Sequence, residues 1–264
     1  MTGPGSDRGD GDDGARGGPR DGGGARDGSG GGAAARVAVI AGASPGLGSA
    51  LAESLLANGW TVVALGRATA IRAVADAVPG VRGIACELTD AADVDRAFAV
   101  LEAASGPASL VVYNAHRIEL GPVNETSPEA FETAWRACCF GAFVVARRAL
   151  PAMRARGRGT LVFSGATGSL RGGPRSSAFA AAKFALRGLA QSLARELAPA
   201  GIHVVHVILD GLIWSAQTRA RFASATEATS MSPRAVAAAY LAVIGQEAGA
   251  WTHELDLRPA AERP

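Results

Sequence analysis

The stretch Val37-Ala38-Val39-Ile40-Ala41-Gly42-Ala43-Ser44-Pro45-Gly46-Leu47-Gly48 decides the fold. An apolar run rich in β-branched residues passes straight into Gly-x-x-x-Gly-x-Gly, and a segment of helical period follows. A strand that turns this tightly into a helix needs glycine for its torsions. The same glycines let an anion approach the backbone, and the new helix offers it unpaired N–H groups and a positive dipole end. Gly42, Ser44, Gly46, Leu47 and Gly48 are therefore candidate residues for holding a dinucleotide pyrophosphate. A tight strand–helix turn without a ligand also wants glycine, so the surrounding pattern has to decide.

Working outward, short runs rich in valine and isoleucine alternate with longer Ala/Leu/Arg stretches of helical period. Strands are expected at 37–41, 61–65, 81–86, 109–113, 159–164, 203–208 and 252–257. Helices are expected at 46–58, 68–78, 91–104, 128–155, 176–197 and 233–246. Ser127-Pro128 and Ser232-Pro233 are expected helix starts, each a serine cap followed by proline in the first turn. Strands this apolar, alternating with helices, imply a sheet covered on both faces. The expected fold is α/β, a single doubly wound Rossmann-type domain over residues 35–264 with a seven-stranded, mostly parallel sheet. Placed on the first strand of such a pattern, the glycine turn favours the dinucleotide.

Residues 1–34 stand apart, holding 14 of the 35 glycines among Asp and Arg. A segment so poor in large apolar residues cannot offset its ordering entropy and is expected to be a disordered tail. The formal charge of +2 with scattered basic residues gives no case for nucleic acid. Cys86, Cys138 and Cys139 form no metal-ligand spacing, so no metal is expected, and their odd number suits a reducing cytoplasm. No apolar stretch reaches membrane-spanning length and no secretory signal is visible, so a cytoplasmic protein without membrane contact is expected.

The second expected strand ends Ala64-Leu65-Gly66-Arg67. An NAD site usually carries an acid here for the adenosine ribose. Arg67 can instead fork onto a 2′-phosphate, and no acid stands beside it, so the cofactor expected is NADP.

Together these segments resemble the short-chain dehydrogenase/reductase family over about 220 residues, essentially everything after the tail. Gly42, Gly46 and Gly48 match its glycine motif. Glu87, followed by Leu88, stands where the family usually has an aspartate contacting adenine. Tyr113-Asn114-Ala115-His116 replaces Asn-Asn-Ala-Gly and keeps Asn114. Asp210-Gly211-Leu212-Ile213-Trp214-Ser215 resembles the Pro-Gly-x-x-x-Thr segment that holds the nicotinamide amide, which implies cofactor roles for Gly211, Ile213 and Ser215.

The resemblance also implies an Asn-Ser-Tyr-Lys tetrad, and here the chain departs from it. The asparagine position falls on Cys138, the serine position on Gly165 or Ala166 depending on register, and the tyrosine on Phe179 in Ser177-Ala178-Phe179-Ala180-Ala181-Ala182-Lys183. Only Lys183 is kept, one turn on and on the same helix face, which fits a contact to the nicotinamide ribose. A positioned general acid is worth roughly 10²–10⁴-fold in rate, so another donor is required if hydride transfer persists. Candidates are His116, Ser164, Tyr113, Ser177 and Cys138; His116 leads because imidazole titrates near neutrality. The chain is similar to a subgroup with the same phenylalanine, a Ser-Gly-Ala-Thr or Thr-Gly-Ala-Thr turn and a tail like Trp251-Thr252-His253-Glu254-Leu255-Asp256-Leu257-Arg258-Pro259, from which no substrate follows.

Three functions remain open at this point. The first is an atypical NADP-dependent oxidoreductase of a small carbonyl, enone or alcohol. The others are a non-redox dehydratase, isomerase or cyclase on the same scaffold, and a nucleotide-binding protein without catalysis. The resemblance further implies a homodimer or homotetramer through the Ala- and Leu-rich faces of the helices at 128–155 and 176–197.

Overall fold

Every residue of β1 (Val37–Ala41) is fully buried, the signature of a strand covered on both faces. In the computed structural model, which describes Gly3 and residues 36–261, β1 is the third strand of a seven-stranded sheet. The strand order is β3 (Arg82–Ala85), β2 (Thr61–Gly66), β1, β4 (Leu110–Tyr113), β5 (Gly159–Ser164), β6 (Ile202–Leu209) and β7 (Glu254–Leu257). All neighbouring pairs are parallel, so the mostly parallel expectation becomes all-parallel. The proposed tail at 1–34 lies outside the described residues apart from Gly3.

Alternate strand residues feed two cores. Val39, Val111, Tyr113, Leu161 and Phe163 pack against α3 (Ala91–Ser105), α5 (Gly141–Ala155) and α6 (Ser177–Leu197). Ile40, Val112, Val162 and Val205 pack on the other face against α1 (Leu47–Ala57), α2 (Ala68–Ala77) and α8 (Pro233–Ile244). Burying each such large side chain is worth roughly 1.5–3 kcal/mol. None of the described helices is long and apolar enough to cross a membrane.

The strand order reverses between β2-β1 and β1-β4, which opens a crevice beyond the carboxyl ends of β1 and β4. Two turns meet there. Asn114 N–H donates to Ala41 O at 2.8 Å, and the turn after β1 comes so close that a Cβ on Gly42 would collide with the backbone of Ala115.

The helix expected over 128–155 is not continuous. α4 (Pro128–Trp135) passes into a π-helical turn at Arg136–Phe140 before α5 begins. The buried Tyr113 hydroxyl donates to the Ala137 carbonyl at 2.7 Å, and Gly141 leaves no room for a Cβ beside that hydroxyl. A side chain inserted into the carbonyl ladder in this way widens a helix. Ser127 caps α4 through Ala130 N–H as expected. Ser232 does not cap α8 with its side chain, and nothing in the structure explains why. The loop after β6 contains a short helix, α7 (Ala216–Arg221), that the apolar pattern did not signal. On the outer side of α4–α6, Phe131, Trp135, Phe143 and Phe184 are exposed.

Gly42 has φ +84°, a torsion that costs other residues about 1–2 kcal/mol, and a new methyl at a closed contact adds about 1–3 kcal/mol. Gly42→Ala is therefore expected to lower stability by about 2–5 kcal/mol in urea unfolding. A loss under about 1 kcal/mol would mean that the two turns separate freely.

Candidate active site

Gly46 precedes α1 with φ +99°, and α1 has neither a side-chain cap nor an acid in its first turn. Its leading N–H groups thus have no side-chain acceptor, which suits an incoming anion. Ser44 is half-buried at this turn, while Leu47 and Gly48 are buried and anchor α1. Asn114, nearly buried, also reaches Gly42 O with its side-chain amide at 3.4 Å. A Cβ on Gly46 would stand 3.3 Å from Cβ of Ser215, so the glycine turn abuts the segment after β6. In that segment Gly211 holds φ +144°, Ile213 bridges to Met231, and Ser215 caps α7 by accepting from Thr218 N–H at 3.0 Å. The structure therefore brings Gly42, Ser44, Gly46, Asn114 and Ser215 to one crevice.

Arg67 follows β2 directly as the cap of α2; it is exposed, and among the described residues it makes no ion pair. Glu87 lies beyond β3, where its carboxylate accepts from Thr89 N–H at 3.0 Å and Thr89 Oγ1 at 2.7 Å. Leu88 beside it is buried in the core.

Lys183 is only 2% exposed, and its Nζ donates to Ser164 O at 2.8 Å. The Phe179 ring lies one turn earlier with its centroid 5.9 Å from Nζ, packed against Gly168. Burial lowers the Lys183 pKa, and Cys138 acts in the opposite direction. The hydroxyl of Ser164 does not join this group. β5 turns it to the other face of the sheet, where it shares a 2.9 Å hydrogen bond with Tyr240, and only the carbonyl serves Lys183.

His116 is open to water at the crevice, with Nδ1 3.2 Å from Asn114 O. That contact assigns the ring hydrogen to Nδ1 and leaves Nε2 as the group able to exchange a proton. Crowding by the crevice walls, then the Lys183 charge, push its pKa down to about 4. The hydrogen bond to Asn114 O pulls the other way, while Arg221 and Arg67 add to the lowering. The other donor candidates fare worse. The Tyr113 hydroxyl is spent on the π-helical turn, Cys138 is fully buried with Sγ 4.0 Å from Arg117 O, and Ser177 is exposed at the start of α6.

The sequence matches the short chain dehydrogenase family over residues 36–223. The chain belongs to that family. The 3-oxoacyl-(acyl-carrier-protein) reductase MabA of Mycobacterium tuberculosis is 33% identical over 185 residues, 70% of this chain and 72% of that protein. A short-chain dehydrogenase structure from Rhodopseudomonas palustris has a TM-score of 0.70 at 33% identity, covering 85% of this chain and 98% of its own. An actinorhodin polyketide ketoreductase with NADPH shares the fold at a TM-score of 0.78 and 23% identity, covering 86% and 97%.

For a short-chain dehydrogenase, the turn after β5 is built on residues that sequence reasoning passed over. Asp210 is fully buried and receives Arg171 at 3.2 and 3.3 Å, with Arg258 at 3.7 Å. His206, also fully buried, has Nε2 3.4 Å from Ser169 Oγ and Nδ1 3.7 Å from Glu254 Oε1. Glu254 is gripped by Arg187 at 2.7 and 2.8 Å. The signals were present: an acid where the family has proline, and a histidine amid the apolar residues of β6.

These groups set an acid limit to stability. Burial pushes His206 down to about 4 from 6.5, against a smaller upward pull from Glu254. The Arg187 hydrogen bonds hold Glu254 at about 2, below 4.5. In both cases the unfolded chain binds the proton at a pH where the folded chain does not. Stability is therefore full above pH 6.5 and falls below it, first through His206 by about 3 kcal/mol, then through Glu254 toward pH 2. His116 meets water and contributes less. Urea unfolding at stepped pH is expected to show this decline, with the part between pH 6.5 and 4 flattened in His206→Gln. An unchanged slope in the variant would assign the acid limit elsewhere.

Proposed function

We propose that the chain is an NADP-dependent oxidoreductase of a small carbonyl, enone or alcohol, of an atypical kind with phenylalanine in the tyrosine position. The observation that carries this is a glycine turn and uncapped helix start beside a phenylalanine in the tyrosine position. The α1 end is uncapped, Gly46 and Ser215 abut, and Lys183 stays buried on Ser164 O beneath Phe179.

The donor set fits the nucleotide. The Gly42–Gly48 turn and the N–H groups of α1 would take the pyrophosphate, Arg67 the 2′-phosphate, and Glu87 and Leu88 the adenine edge. Asn114, Gly211, Ile213 and Ser215 would border the nicotinamide end, and Lys183 would hold the ribose. When bound, the nucleotide supplies a hydride to the carbonyl carbon or takes one from the alcohol. This chain's part is to carry the matching proton. His116 gives it to the new alkoxide oxygen from Nε2, or takes it from the alcohol in the reverse direction. Phe179 adds a ring but no proton.

With its pKa pushed down, His116 is mostly neutral at pH 7, so reduction should rise toward acid. Ketoreduction by the relative MabA agrees with the carbonyl half of the substrate class. One observation favours a second reading, nucleotide binding without catalysis. The Ser164 hydroxyl is bonded away to Tyr240, and no side chain fits at Gly165.

Fluorescence titrations with NADPH, NADP, NADH and NAD test the cofactor, and Arg67→Ala tests its source. The variant is expected to weaken NADPH by about 1.5–3 kcal/mol, roughly 10–150-fold, and to leave NADH nearly unchanged. Equal losses for both nucleotides would remove the NADP assignment.

A further inference from the structure

His206 is a fully buried titratable group to which the mechanism above gives no task. Its ring stands where a side chain at residue 165 would point: a Cβ on Gly165 would lie 2.5 Å from Nε2, 2.7 Å from Cε1 and 3.0 Å from Ser169 Oγ. Residue 165 is one of the two registers for the family's serine, so the imidazole now fills that space. Its contacts also form a chain. Ala166 N–H donates to Ser169 Oγ at 3.2 Å, and Ser169 Oγ lies 3.4 Å from His206 Nε2. Nδ1 has no hydrogen-bond partner, and it faces Glu254 Oε1 at 3.7 Å. The carboxylate facing Nδ1 favours the tautomer with hydrogen on that atom, which leaves a bare Nε2 to accept from the Ser169 hydroxyl.

The chain ends at the turn that matters. Ala166 follows Gly165, whose N–H donates to Val207 O at 2.6 Å, and the preceding Ser164 carbonyl is the anchor of Lys183 Nζ. From α6, Arg187 closes the circuit by holding Glu254 while donating to Ser169 O at 3.4 Å.

We infer that His206 is a positioning residue of the active site, acting through Ser169 to fix the 164–166 turn and hence the Lys183 ammonium. Its bare Nε2 is the working atom. A proton there would remove the acceptor that Ser169 uses. The charged and titratable groups facing the ring are Glu254 on β7, Lys183 and Arg187 on α6, and His253 before β7.

Two measurements test this, and only the second rests on the cofactor reading above. In protein labelled with ¹⁵N-histidine, His206 is expected to show the Nδ1–H tautomer and to stay neutral at pH 5.5. An Nε2–H tautomer, or titration near 6.5, would overturn the proposal. In NADPH titrations, His206→Gln keeps an acceptor near the Nε2 position, whereas His206→Asn and His206→Ala do not. Binding near wild type for Gln, with at least fivefold losses for Asn and Ala, is the expected result. Equal effects of all three variants, whether none or a common loss, would reduce His206 to packing. Wild type that fails to bind NADPH at any pH would instead refute the cofactor reading, and the tautomer would still decide the proposal.

Discussion

Two chain turns, one after β1 and one after β4, meet so closely at the centre of the sheet that Gly42 can carry no side chain against Ala115. This contact exists because the strand order reverses between β1 and β4, leaving both carboxyl ends uncovered by a crossover. The crevice depends on it. Asn114 ties β4 to Ala41 and Gly42 from one side, Ser215 presses on Gly46 from the other, and α1 starts between them with its N–H groups uncapped. His116 follows the same β4 turn, so it shares this foundation with the glycine turn.

What was legible in the sequence is what period and turn chemistry encode. The strands at 37–41 and 159–164 match β1 and β5 residue for residue, and the others differ only at their ends. The glycine turn was legible because its positive φ torsions demand that residue type. The break in the helix over 128–155 was not, since its cause is a hydroxyl delivered from β4 to Ala137 O, a contact between segments far apart in sequence. The face on which Ser164 points was open to the period-two alternation of β5, yet its partner Tyr240 comes from α8 and could not be foreseen. His206 and Asp210 illustrate the same limit. A polar residue in an apolar strand signals a partner without naming it, and here the partners come from β7 and the turn after β5.

The departures from the family pattern are mutually consistent. Phe179 supplies no hydroxyl, a Cβ at Gly165 would meet the His206 ring, and Cys138 is buried. Lys183 keeps a structural anchor on Ser164 O that needs no neighbouring hydroxyl. His206 and Glu254, one buried and the other gripped by Arg187, make the fold sensitive to acid.

The central claim is that the cradle works while the tyrosine position is filled by Phe179. A crystal structure of the wild-type chain grown with NADPH tests it most directly. The account predicts the pyrophosphate on the α1 N-terminus, the 2′-phosphate at Arg67, Lys183 Nζ on the nicotinamide ribose, and the Phe179 ring beside the nicotinamide with His116 Nε2 facing the open reaction space. A nucleotide bound elsewhere, or one bound here with Lys183 Nζ touching only Ser164 O, would contradict it.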